Sequence, residues 1–185
     1  MPVPDPLVVR NTVDGVTTLT FNNPARFNGW TLEMIAELRT ALVESGQDPE
    51  TKVLIVTGTD PYYSAGVNLG GSFKLDHPRR LHAYIVDANR RLFEMFIELP
   101  KPILVAVKGP AIGATVTSTT LCDGVVASER ATFSTPFARL GVTPEGCSSQ
   151  VFPRIFGSQG ERMLGPEGWI PTAKEAKELG LVHWV

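Results

Sequence analysis

The sequence predicts an α/β fold, and three observations carry the prediction. Two continuous apolar runs, KVLIVTG (Lys52 to Gly58) and ILVAV (Ile103 to Val107), read as buried strands. Around them, apolar residues recur at the three-and-four spacing of amphipathic helices. Strand pairs followed by helices then repeat weakly along the chain, which is the pattern of a layered α/β domain.

The elements follow in order. VTTLTFN (Val16 to Asn22) alternates with period two and is rich in β-branched residues, so it reads as a strand. Thr31 to Ser45 places Met34, Ile35, Leu38, Ala41 and Leu42 on one helical face, with Thr31 as the N-cap. After the KVLIVTG strand, Asp76 is expected to cap a long helix. Its stripe is Leu81, Tyr84, Ile85, Ala88, Leu92, Met95, Phe96 and Leu99, and Pro100 ends it. The ILVAV strand leads through a glycine-rich turn into Thr115 to Leu121, expected to be a buried helix. Short strands near Gly124 to Ala127 and Ala131 to Ser134 come next, then helices over Gly146 to Phe156, Gln159 to Leu164 and Thr172 to Gly180.

A chain of 185 residues, 43% hydrophobic and 19% charged, fits one domain over residues 1–185 and excludes a disordered chain. With 17 basic against 19 acidic residues the net charge is -2, so no basic field exists to hold a nucleic-acid backbone. No apolar run reaches the roughly 18 residues of a membrane span, and prolines occupy the start MPVPDPLVVR where a signal peptide would be apolar. Cys122 and Cys147 are too few for a disulfide framework, and Cys147 is expected to be a buried, inert thiol. His77, His82 and His183 are too scattered to ligate a metal, so no metal is expected. A soluble intracellular protein, cytoplasmic or peroxisomal, is the expectation.

Two strand-to-helix turns could carry chemistry. YYSAGVNL (Tyr62 to Leu69) follows the first buried strand, and GPAIGATVT (Gly109 to Thr117) follows the second. Small residues there let a ligand approach the backbone, and free amides at a helix start favour negative charge. Such turns equally serve packing alone. Two of them together could form one oxyanion hole.

The segments NNPARFNG, YYSAGVNL, KPILVAVKGPAIG, CDGVVASERATFSTPF and TPEGCSS occur in this order. Together they resemble the enoyl-CoA hydratase/isomerase (crotonase) superfamily, nearest its peroxisomal-type Δ3-Δ2-enoyl-CoA isomerase branch. The resemblance spans about Val8 to Val182. It implies a crotonase-like (ClpP/crotonase) spiral of ββα units, an acyl-CoA thioester substrate and no cofactor beyond the CoA of that substrate. It also implies a homotrimer or hexamer, and a further C-terminal helical segment that this sequence lacks.

Carried over by position, the resemblance makes the backbone N–H of Ala65 the first oxyanion donor and that of Ala114, after Gly113, the second. Gly66, Val67, Asn68 and Leu69 would flank the thioester, with asparagine at 68 where most relatives place aspartate. Arg26 and Lys101 would meet the CoA phosphates. Hydratases of the superfamily hold water between two glutamates, and those positions here read Thr117 and Phe137. A single carboxylate, Glu145 in Thr-Pro-Glu-Gly, stands where the isomerases carry theirs. By itself Glu145 also reads as a helix-start residue complementing the macrodipole.

These readings imply an isomerase that moves a 3-enoyl-CoA double bond to the 2-position. The alternatives are a hydratase or other crotonase-type acyl-CoA enzyme, and a non-catalytic CoA-binding or interaction module. The apolar end, with Trp169, Leu181, Val182, Trp184 and Val185, is expected to be covered by another subunit or segment.

Overall fold

A computed structural model describes residues 5–68 and 76–185. The strands β1 (Val8–Val13) and β2 (Val16–Phe21) form a hairpin, followed by helix α1 (Leu32–Gln47), strand β3 (Val53–Gly58) and helix α2 (Pro78–Ile97). Then come β4 (Ile103–Val107), β5 (Ala111–Ile112), α3 (Ala114–Thr117), β6 (Gly124–Ala127) and β7 (Phe133–Ser134). Four helices close the chain: α4 (Phe137–Leu140), α5 (Ser148–Phe156), α6 (Gln159–Leu164) and α7 (Ala173–Glu178).

The main sheet has the order β1-β2-β3-β4-β6, with only the β1–β2 pair antiparallel. Its four parallel strands therefore share one C-terminal edge. Beyond that edge, each leads into a short extended segment that pairs with its counterpart from the next unit. These pairs are Trp30 with Val67, Ser64 with Ala111, and β5 with β7. That repeat is the ββα spiral. Ligands of open parallel sheets sit at such an edge, so both small-residue turns lie where binding is expected.

The core forms on one face of the sheet. Leu19, Phe21, Leu54, Val56, Ile103, Val105 and Val107 pack with Met34, Leu38 and Leu42 of α1, and with Leu92, Phe93 and Phe96 of α2. Thr31 caps α1 through the amide of Met34, as its position predicts. The buried strands are less completely covered than their apolar runs imply, since alternate residues such as Val53 and Ile55 are half-exposed.

Three expectations need correction. The N-cap of α2 is His77, whose ring nitrogen accepts from Arg79, while Asp76 caps the amide of His77. Pro78 sets the first helical position, which moves the cap one residue on. The apolar stripe of α2 is buried only from Leu92 onward, with Tyr84, Ile85 and Ala88 exposed. A 20-residue helix runs about 30 Å, whereas a five-residue strand covers about 17 Å, so the first half of α2 outruns the sheet.

Third, the apolar end is covered in part by this chain itself. Leu181 and Val182 are buried, and the amide of Ala127 bonds the Trp184 carbonyl, laying Trp184 along the edge of β6. Trp184 and Val185 remain exposed. Among the described residues, no helix is long and apolar enough to cross a membrane, and no His, Cys, Asp or Glu cluster could hold a metal.

Candidate active site

Asn28 organises the first turn. Its side-chain amide donates to the carbonyls of Thr59 (2.7 Å) and Tyr62 (2.9 Å) and accepts from the amide of Asn23 and the Thr59 hydroxyl. All four of its hydrogen-bonding positions are thus used, which makes the buried amide affordable and fixes the loop after β3. Ser64 extends the clamp. Its hydroxyl donates to the Asn28 carbonyl at 2.7 Å, and its carbonyl accepts the amide of Ile112 from the second turn.

The amides of the first turn have unequal fates. Ala65 donates to the carbonyl of Phe27 at 2.9 Å, Gly66 to the Ser64 hydroxyl, and Asn68 to the Trp30 carbonyl. The amide of Val67 has no hydrogen-bond partner among the described residues. Its neighbours Gly66 and Asn68 make the bridge to Trp30, so by strand alternation Val67 presents its amide to the other side. The expectation that Ala65 is the first oxyanion donor is therefore corrected: its proton is already bound, and the unoccupied amide is that of Val67. Asn68 is exposed, and Leu69 lies outside the described residues.

The second turn keeps its expected donor. Gly113 spends its amide on the Ser134 carbonyl, which ties the turn to β7. Ala114 is the first residue of α3, and its amide has no partner among the described residues, as the geometry of a helix start requires. The two turns touch at Gly66, where an added Cβ would lie 2.3 Å from the Ile112 oxygen. Only glycine permits that approach, and its φ of +80° favours glycine for a second reason.

Glu145 is bonded to α3, the helix that the second turn opens. Its Oε1 accepts from the Thr117 hydroxyl at 3.0 Å, while Oε2 is buried with no hydrogen-bond partner among the described residues. Burial pushes its pKa up to about 7 against the smaller lowering effect of the Thr117 bond. Its backbone is held by Ser148, whose amide and hydroxyl both donate to the Glu145 carbonyl. Because α5 starts at Ser148, Glu145 precedes the helix and does not serve its dipole. An added Cβ at Gly146 would meet the Phe93 ring and the Thr117 hydroxyl at 2.6 Å, so the Glu145 loop is pressed onto α2 and α3.

Of the two expected cations, one is here. Arg26 is exposed, next to the Phe27 carbonyl that binds Ala65. Lys101 precedes β4, at the opposite end of the parallel strands. Its Nζ donates to the carbonyls of Ser45 (2.8 Å) and Asp48, where it satisfies the C-terminal end of α1. The expectation that it meets CoA phosphates is corrected on that ground.

Phe137, like Phe133, Phe152 and Phe156, is buried. Cys147 is exposed rather than buried, because its left-handed conformation (φ 60°) turns the chain just before α5. Cys122 is the inert thiol, pushed up to about 12 by burial.

The geometry singles out two positions that the sequence does not. In the sequence Val67 stands among the residues expected to flank the thioester, and no local signal separates its amide from that of Ala65. Thr117 stands in the sequence only as the place of an absent glutamate. Its place three residues after Ala114, on the same helical face, was the signal that it could reach what Ala114 faces.

Comparison with known proteins identifies the family. The family described as enoyl-CoA hydratase/isomerase matches residues 11–185. Enoyl-CoA delta isomerase 2 of Rattus norvegicus is 38% identical over 172 residues, covering 91% of this chain and 43% of that protein. The peroxisomal enoyl-CoA delta isomerase 3 of Mus musculus is 37% identical over 172 residues, covering 91% and 53%. Chromodomain Y-like protein 2 of Mus musculus is 37% identical over 161 residues, covering 85% and 32%.

This chain thus spans about half the length, or less, of these curated relatives. Among solved structures, an enoyl-CoA hydratase/isomerase from Pseudoalteromonas atlantica T6c superposes with a TM-score of 0.84 at 31% identity. It is matched over 97% of this chain and 69% of that one. Enoyl-CoA hydratase from Bacillus anthracis gives 0.86 at 27% identity, over 97% and 69%. The chain belongs to the enoyl-CoA hydratase/isomerase family, with the crotonase fold.

Proposed function

We propose that this chain binds an acyl-CoA thioester and isomerises 3-enoyl-CoA to 2-enoyl-CoA with Glu145 as the single base. The observation that carries the reading is the Glu145 carboxylate itself. It is raised to about 7, and it is joined through Thr117 to the start of α3; among the described residues, one of its oxygens and the first amide of α3 have no partner. A base poised near neutral pH takes a proton and gives it back with little driving force lost either way.

The steps balance with one proton. Glu145 Oε2 removes it from C2, and the C2 electrons spread into the thioester as a dienolate. The Val67 and Ala114 amides take the oxyanion, each such donor typically worth about 2.7–4 kcal/mol in the transition state. Glu145 then returns the proton at C4, leaving the double bond between C2 and C3. Neither water nor a redox partner enters. Hydration by two glutamates is disfavoured, since Thr117 and Phe137 stand at those positions and neither is a general base.

The assay that tests this follows 3-enoyl-CoA beside 2-enoyl-CoA with water as co-substrate, for the wild type and Glu145→Gln. Turnover of the 3-enoyl substrate that falls by about 10²–10⁴-fold in the variant, with acyl-CoA affinity kept, supports the reading. Acyl-CoA binding without turnover would make this chain a binding module instead, and hydration of 2-enoyl-CoA alone would make it a hydratase. A homotrimer or hexamer is part of the proposal, on the likeness to the enoyl-CoA hydratase/isomerase family. Sedimentation at micromolar concentration tests it.

A further inference from the structure

The Thr117 hydroxyl has one proton and two acceptors within reach, the Ala114 carbonyl at 3.2 Å and Glu145 Oε1 at 3.0 Å. The Ala114 carbonyl already accepts the amide of Ser118. The hydroxyl proton therefore leaves that carbonyl without stranding a buried acceptor. Thr117 is fully buried, so bulk solvent does not reach its hydroxyl.

We propose, on the isomerase reading above, that Thr117 is the positioning residue of the shuttle: its hydroxyl anchors Oε1 and makes Oε2 the one oxygen that exchanges protons with the acyl chain. While Glu145 is ionised, the hydroxyl donates to Oε1. Once Oε2 carries the substrate proton, the charge on Oε1 falls, and the hydroxyl swings back to the Ala114 carbonyl. Each transfer then needs a rotation about one C–O bond and no movement of the carboxyl group. Oε2 stays aimed at the acyl chain between removal at C2 and return at C4.

Thr117 comes from α3, and the Phe93 ring from α2 packs on the adjoining Gly146. Neither is charged, and no ion pair reaches Glu145 among the described residues. The Thr117 hydroxyl is then the hydrogen-bond donor that favours the ionised carboxyl against its burial. A purely structural threonine would fill the same space with its methyl group, so hydroxyl and methyl can be tested apart.

The experiment titrates the Glu145 carboxyl by carbon NMR on the full chain without substrate, with Glu145→Gln identifying its resonance. Thr117→Val keeps shape and loses the hydroxyl, and should raise the midpoint by roughly one pH unit, the scale of one hydrogen bond to an anion. Thr117→Ser should restore it. In turnover, Thr117→Val should move the acidic limb of kcat upward with the titration and leave KM unchanged. If Thr117→Val does not fold, Thr117→Cys offers a weak donor of similar size and should give a smaller rise. An unchanged midpoint in the folded variant would overturn the proposal. The titration needs no substrate, so that failure is distinct from an undiminished Glu145→Gln, which would sink the isomerase reading alone.

Discussion

Gly66 stands so close to Ile112 that an added Cβ would lie 2.3 Å from its carbonyl oxygen. Through this contact, turns from two different ββα units meet back to back. Val67 follows Gly66 and Ala114 follows Ile112 and Gly113, so the contact sets how the two unbonded amides lie relative to each other.

Gly66→Ala should therefore damage the protein more than Gly113→Ala. Both glycines have positive φ, +80° and +62°, but an added Cβ at Gly113 meets nothing within 4 Å. The first variant combines backbone strain with a clash that is typically worth about 1–3 kcal/mol, and the second carries the strain alone. Urea unfolding of the two variants beside the wild type checks the ranking. Equal losses would mean that the Gly66 contact can relax.

Ala114→Pro tests the second oxyanion donor. Ala114 is the first residue of α3, a position where proline is tolerated, and its amide bonds nothing among the described residues. The variant should fold and lose about 100- to 1,000-fold in kcat, as expected for one donor. Undiminished kcat in a folded protein would show that this amide does not meet the oxyanion.

Glu145 should make stability depend on pH in an unusual direction. Its folded-state value, about 7, lies above the unfolded 4.5. Between these values the folded state holds the extra proton, so stability falls as pH rises through that window. Glu145→Gln removes the effect. The variant should be more stable than wild type at pH 8, by up to about 3 kcal/mol, with the gap closing toward pH 4.5. Thermal unfolding at pH 5 and pH 8 reads the difference, and a gap independent of pH would contradict a raised carboxyl.

Lys101 and Arg26 should separate cleanly. Lys101→Met removes the charge that binds the α1 carbonyls and should lower stability by about 1–2 kcal/mol, with acyl-CoA affinity intact. Arg26→Met should leave stability alone and weaken acyl-CoA binding, most visibly at low salt. Calorimetric titration with an acyl-CoA distinguishes them. Loss of affinity in Lys101→Met would return that residue to the binding site.

The sequence by itself determined what local pattern can encode. The apolar runs became β3 and β4, the Thr31 cap started α1, and the helical face of Met34, Leu38 and Leu42 went into the core. The carboxylate at 145 stood out only through the motif resemblance, since by itself it reads equally as a helix-start residue. Tertiary structure decided the rest, since it turns on partners far apart in the chain. Three consecutive amides, of Ala65, Gly66 and Val67, look alike in sequence. Phe27 and the Ser64 hydroxyl occupy the first two, while the bridge from Trp30 to Gly66 and Asn68 turns the third away, with no partner among the described residues. Lys101 reads as a free cation until the end of α1, some 50 residues earlier, folds against it. A buried donor or acceptor must find a partner, and which ones are left over is settled only when every other pairing has been made.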